Sequence, residues 1–200
     1  MKQKNKSYRI AILSMFIAII IVQNLIPMFG YIPIGPFNLV TVHITVIIAA
    51  IILGPVDGAV LGGVWGLISF IRAFVAPTSP VQPIVFTNPL ISILPRILVG
   101  LIAGYLFYCL FKTKLKPIFA MSLTAMVASI LNTAMVLGLI DIFYQTPAVA
   151  HAYGVSDPTL LTKFLLAVVL TNGIPETILA GVLVPIICKP LLKLVRNRSI

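Results

Sequence analysis

The sequence predicts an all-α integral membrane protein: one domain over residues 1–200, a bundle of six transmembrane helices with N and C termini both cytoplasmic. Three observations carry that prediction. Hydrophobic residues make up 60% of the chain and charged residues 9%, with a mean hydropathy of +1.15, far outside the range of soluble domains. The apolar runs have helical length, and no alternating ten-residue segments of a transmembrane barrel occur. The basic residues cluster where an even number of spans separates one cluster from the next.

The first span, residues 10–26, follows basic residues as a secretory leader would. No small-residue cleavage site precedes Pro27, so it reads as a retained helix. The second, 39–53, is short for a bilayer, which implies local thinning, a half-buried helix, or an extension into the segment Tyr31 to Leu39. The third, 56–76, spaces Gly58, Gly62 and Gly66 four apart with Ala59 and Gly63 beside them; the fourth, 89–111, spaces Gly100 and Gly104 likewise. Small residues at that spacing let helix backbones approach closely, so these glycines are read as packing rather than ligand contacts. The fifth and sixth spans are 117–140 and 160–187. Cys109 and Cys188 sit in apolar surroundings without paired spacing, so they read as inert thiols, and no metal site is expected.

A net charge of +10 would suggest nucleic acid for a soluble chain, but here the charges flank spans. Lys2, Lys4, Lys6 and Arg9 precede the first; Lys112, Lys114 and Lys116 join the fourth to the fifth; Lys189, Lys193, Arg196 and Arg198 follow the sixth. The positive-inside rule puts all three clusters in the cytoplasm. The outer loops are then 27–38, 77–88 and 141–159, rich in Pro, Gly and aromatic residues and fit to form a lid. The partner implied is a lipid bilayer, with no nucleic acid.

Polar groups inside a bilayer are expensive and face a bundle interior or a watery cavity. Here they gather toward the outer half: Gln23 and Asn24 on the first helix, Asn38 and His43 at the start of the second, and Arg72 near the end of the third. Asn88 and Arg96 lie in the outer part of the fourth, Asn132 beyond the middle of the fifth, and Asn172 and Glu176 around the middle of the sixth. That asymmetry points to a pocket entered from outside and closed below by apolar packing, rather than a channel lined throughout. Trp65 fills a core layer or floors the pocket. Pro175, between Asn172 and Glu176, frees a backbone carbonyl, as does Pro95 beside Arg96. Two arginines over one glutamate favour an anionic ligand, and the buried amides favour one that also bears hydroxyl or amide groups. A buried Arg96–Glu176 ion pair is the purely structural alternative. By the same logic Arg72 can snorkel to the interface, and His43 can be a hydrogen-bonded helix-start residue.

The stretches Asn88 to Gly100 (NPLISILPRILVG), Leu131 to Gly138 (LNTAMVLG) and Asn172 to Glu176 (NGIPE) lie in a chain of about 200 residues with six spans. With the small-residue face Ala11, Ser14 and Ala18 on the first helix, the whole chain resembles the substrate-binding S component of energy-coupling factor vitamin transporters, in the pantothenate-type subgroup. The resemblance implies a bacterial plasma-membrane subunit that captures a vitamin outside, with no cofactor of its own. It also implies partners: one transmembrane coupling subunit and two ATPase subunits, met through Ala11, Ser14 and Ala18. The absence of a phosphate-binding GxxxxGK[ST] motif agrees with ATP hydrolysis residing elsewhere. The family's Ala-x-x-x-Ala on the first helix is not reproduced, because Met15 follows Ala11 four residues on, and Ser14 with Ala18 is the nearest substitute.

Three other readings remain open at this level. Riboflavin or another vitamin is an alternative ligand, with Tyr31, Phe37 and Phe86 as loop aromatics able to stack on it. A stand-alone carrier or channel is another. An intramembrane enzyme using Glu176 or His43 is the third, and no HExxH pair or Ser/His arrangement supports it, so no catalytic residue is assigned.

Overall fold

The computed structural model describes residues 6–26, 30–34 and 37–197. Lys2, Lys4 and Arg198 lie outside the described residues, as do the side chains of Lys6, Asn38 and Arg196. The elements follow the apolar runs. They are α1 (Lys6–Leu25), a hairpin of β1 (Tyr31–Ile34) and β2 (Phe37–Val40), α2 (Val42–Leu53), α3 (Pro55–Val75), and two single turns, α4 (Gln82–Val85) and α5 (Pro89–Ser92). Then come α6 (Leu94–Phe111), α7 (Pro117–Phe143), α8 (Pro147–Ala152), α9 (Leu161–Val168), a π-turn at Val169–Gly173 and α10 (Ile174–Asn197). Five helical stretches are long and apolar enough to cross a membrane: Ser7–Leu25, Pro55–Val75, Pro89–Phe111, Pro117–Phe143 and Pro158–Lys193. Val42–Leu53 is a shorter apolar helix.

The hairpin accounts for that short helix. With 12 residues, α2 rises only about 18 Å of a hydrocarbon layer roughly 30 Å thick. Residues 31–34 and 37–40 precede it as two antiparallel strands, pairing Tyr31 with Val40 and Ile34 with Phe37, where a continued helix was one expectation. Pro33 explains the choice, since it cannot donate to a helix and pushes Ile32 toward extended backbone. At its other end α2 stops at Gly54, whose φ of 107° lies in the left-handed region, and Pro55 opens α3 at once.

Close approaches define the two ends of the bundle. At one, Arg9 of α1 meets Asp57 of α3, and Gly104 of α6 packs on Pro55. At the other, the Arg72 guanidinium of α3 donates to the Asn24 carbonyl of α1, and the hairpin meets α10. The glycine series on α3 does lie against α6. A Cβ on Gly62 would run into the Arg96 carbonyl, and one on Gly100 into the Gly58 carbonyl, so these helices pack backbone to backbone.

Buried apolar residues form two clusters. The larger includes Phe16, Ile20, Ile47, Leu61, Trp65, Val99, Ala128, Ala180 and Val184. The smaller caps the hairpin end, where Val81, Val85 and Ile91 meet Val136, Ile140, Val149, Leu161 and Leu165. Tyr153 packs against Phe164 with the rings tilted and their centroids 5.5 Å apart, and burial pushes its hydroxyl up to about 12. Asp157 accepts from the Thr159 N–H at 2.9 Å, which holds its carboxylate below the usual range and caps the turn leading into α9.

Candidate functional site

The two apolar clusters meet at a polar layer, and the chain marks that layer in three places. From Ile91 in the cap to Val99 in the main core the sequence passes through Arg96; from Ala128 to Val136 it passes through Asn132; from Leu165 to Ala180 it passes through Asn172 and Glu176. Each segment interrupts its apolar stripe at the same boundary.

Arg96 is placed by its neighbour. Pro95 has no N–H, so the carbonyl of Ile91, four residues earlier, loses its helical donor. The Arg96 guanidinium donates to that carbonyl. It also lies over two aromatic faces, with its central carbon 5.1 Å from the ring centroid of Trp65 and 5.1 Å from that of Phe86. A guanidinium held this way is pre-oriented, and its planar fork suits a carboxylate. Trp65 is 2% exposed, and its indole Nε1 has no hydrogen-bond partner among the described residues, which leaves a buried donor beside the guanidinium.

The amide side chains show the same incompleteness. Asn132 Oδ1 and Asn172 Oδ1 are buried acceptors with no partner among the described residues. Thr124 and Thr177, each with a buried unpartnered hydroxyl, extend the set along α7 and α10. A buried polar atom left without a partner is costly in a folded protein, and several of them in neighbouring segments mark a candidate place for a polar ligand. His43 is fully buried, with its Nε2 3.3 Å from Ser129 Oγ.

Glu176 and Arg72 are engaged with backbone. Glu176 Oε1 accepts from the Val40 N–H at 2.8 Å, joining the first turn of α10 to the end of β2. Sequence position alone put Glu176 around mid-span; the recessed start of α2 brings the hairpin down to its level. Arg72, donating to the Asn24 carbonyl, ties α3 to the end of α1, where Asn24 Nδ2 also donates to the Ile20 carbonyl and Thr45 Oγ1 to Gln23 Oε1. Asn88 caps α5: its Oδ1 accepts from the Leu90 N–H at 3.0 Å and its carbonyl from Ser92 Oγ. Asn38 faces Pro33 in the hairpin register. Ala11, Ser14 and Ala18 all lie exposed on α1, on the side away from buried Phe16 and Ile20.

Several features escaped the sequence reading. The bidentate Arg9–Asp57 pair, with Nε to Oδ2 and Nη2 to Oδ1 both 2.6 Å, was hidden because Arg9 reads as one more topogenic charge. Ser129, Thr124 and Thr177 are small hydroxyls that pass unnoticed inside apolar helices. Spacing offered one usable signal: Thr124, Ala128 and Asn132 are four apart and therefore share a face.

The fold and site together define a helical membrane protein with an incomplete polar layer near one end, the architecture of a small-molecule binding subunit. Residues 8–188 match the family described as ECF transporter, substrate-specific component, and the chain belongs to that family. Two of its relatives are the pantothenate transporter PanT of Leuconostoc mesenteroides subsp. mesenteroides and the pantothenic acid transporter PanT of Lactococcus lactis subsp. cremoris. The first is 34% identical over 202 residues, covering 98% of each chain; the second is 36% identical over 211 residues, covering 98% of this chain and 100% of the relative. The protein is therefore a substrate-specific transport subunit of the membrane rather than an enzyme.

Proposed function

We propose that this chain is the pantothenate-binding subunit of an ATP-driven ECF importer in a bacterial plasma membrane, with both termini cytoplasmic. In that orientation the hairpin end faces outward and the basic clusters face inward. The observation that carries the ligand assignment is the buried Arg96 guanidinium beside the unpartnered Trp65 Nε1, within a layer that also holds unpartnered amide oxygens. A carboxylate takes the guanidinium and indole donors. Hydroxyl or amide groups on the same molecule take Asn132 and Asn172. Pantothenate has one carboxylate, two hydroxyls and an amide, and the names of both relatives point to the same compound.

The transport partners are one transmembrane coupling subunit and two ATPases, met through the exposed face of Ala11, Ser14 and Ala18. Binding and specificity reside in this chain, and nucleotide hydrolysis in the partners. Calorimetry on the purified subunit in detergent tests the assignment, with pantothenate set against riboflavin, folate, thiamine, biotin and pyridoxine. Tight binding of pantothenate alone is expected. Tight binding of another of these vitamins, with none of pantothenate, overturns the ligand assignment and leaves family membership standing.

A further inference from the structure

The buried acid of the polar layer spends an oxygen on main chain. Glu176 is 6% exposed, and its Oε1 accepts from the Val40 N–H, 136 positions away in sequence. Among the described residues the hairpin that Val40 ends is a sheet of two strands paired with each other, and an isolated two-stranded ladder is marginal without outside support. Its base is closed by the Thr41 N–H donating to the Gly30 carbonyl, and β2 packs against the π-turn carrying Asn172 and against α10. A side-chain contact could survive small shifts of the strand. A hydrogen bond to one main-chain amide fixes which residue of β2 sits at that depth.

We propose that Glu176 is a positioning residue: its carboxylate latches the β-hairpin down onto the polar layer, and ligand enters and leaves when the bond to Val40 opens. Glu176 then acts on binding through the hairpin, without touching the ligand. The π-turn immediately before α10 suits this role. Pro175 denies the Thr171 carbonyl its helical donor, and the wider turn there sets the first turn of α10, with Glu176, at the angle that faces β2.

The proposal rests on the polar layer being the ligand site, and two readouts separate the two ideas. The first is hydrogen exchange on the ligand-free subunit in detergent. Glu176→Ala is expected to speed exchange at amides 37–41 at least tenfold while leaving α3 and α6 unchanged; Glu176→Gln, which keeps an acceptor oxygen, restores most of the protection. Val40→Pro deletes the donor instead and should reproduce the effect at the neighbouring amides. The second is stopped-flow binding of pantothenate, where Glu176→Ala should raise kon and koff together, so that Kd moves less than either rate. Unchanged hairpin exchange in both Glu176→Ala and Val40→Pro overturns the latch. So does a higher koff with kon unaltered, which identifies a direct ligand contact. If wild-type protein binds no pantothenate, the ligand assignment falls, and the exchange experiment still decides the latch.

Discussion

Arg96 and Trp65 form a stacked pair, the guanidinium carbon 5.1 Å from the indole centroid, on two helices that touch backbone to backbone. The relationship depends on glycine. Gly62 lies against the Arg96 carbonyl itself, so the helix that presents Trp65 also sets the height of Arg96. The Phe86 ring lies at the same distance from the guanidinium carbon, and the Ile91 carbonyl left over by Pro95 holds the fork. Every one of these contacts orients the cation, which under the proposed assignment lowers the ordering cost of binding a ligand there.

Arg96→Ala should therefore weaken pantothenate binding by more than tenfold in calorimetry while the protein still folds, as judged by its elution in detergent. Arg96→Lys should recover little, because an ammonium neither stacks as a plane nor offers a fork. Unchanged affinity in a well-folded Arg96→Ala subunit would remove its role.

Trp65→Phe separates the ring from its N–H. The phenyl face still supports the guanidinium, but the buried donor is gone, and a hydrogen bond to a charged acceptor contributes about 1.5–3 kcal/mol. The expected result is a loss of affinity of roughly tenfold or more, accompanied by the modest fall in melting temperature that a smaller ring causes in the core. Equal affinity in the two proteins would show that the ligand leaves Nε1 alone.

Gly62→Val tests the packing that carries the pair. The added carbons meet backbone, which cannot rotate away, so α3 and α6 must separate. Overpacking of this kind costs about 1–3 kcal/mol or more, and both thermal stability and ligand affinity should fall together. Gly63→Ala is the control, since its nearest neighbours are side-chain carbons of Ile97 at ordinary contact distance.

These cases show what the sequence could and could not convey. The third, fourth and fifth spans are legible because apolar length and flanking charge leave little choice in a bilayer, whereas the first helix starts earlier, at Lys6, and the last runs on past residue 187 to Asn197, since a helix need not stop where its apolar run does; the Gly58, Gly62, Gly66 series correctly implies close packing. Arg96, Asn132 and Glu176 stand out because polar groups are expensive there. Their partners do not: nothing in the string says that the Val40 amide, recessed by a helix of 12 residues and a hairpin, would come level with Glu176. The Arg9–Asp57 pair is invisible for a different reason, since both residues sit at span ends where charge is cheap.

That pair supports its own test. Asp57 is 4% exposed and Arg9 48%, so removing Arg9 strands a buried carboxylate, whereas removing both charges leaves only a neutral amide there. Arg9→Ala should lower the melting temperature more than the double variant Arg9→Ala with Asp57→Asn. If the single and double variants melt alike, the two charges are not coupled.

α1 presents an exposed surface of small residues. This helix is pinned at both ends, by Arg9 to Asp57 and by Arg72 to the Asn24 carbonyl, and its core-facing side is filled by Phe16 and Ile20. Ala11, Ser14 and Ala18 lie on the remaining, exposed side, where small side chains permit another helix to approach closely. Leucine at Ser14 or Ala18 should leave pantothenate affinity unchanged, because neither residue belongs to the polar layer, and should impair uptake in cells or in liposomes holding the assembled transporter. Co-purification with the coupling subunit should fall in parallel. If uptake survives both substitutions, docking does not use this face, and the coupling subunit must contact another side of the bundle.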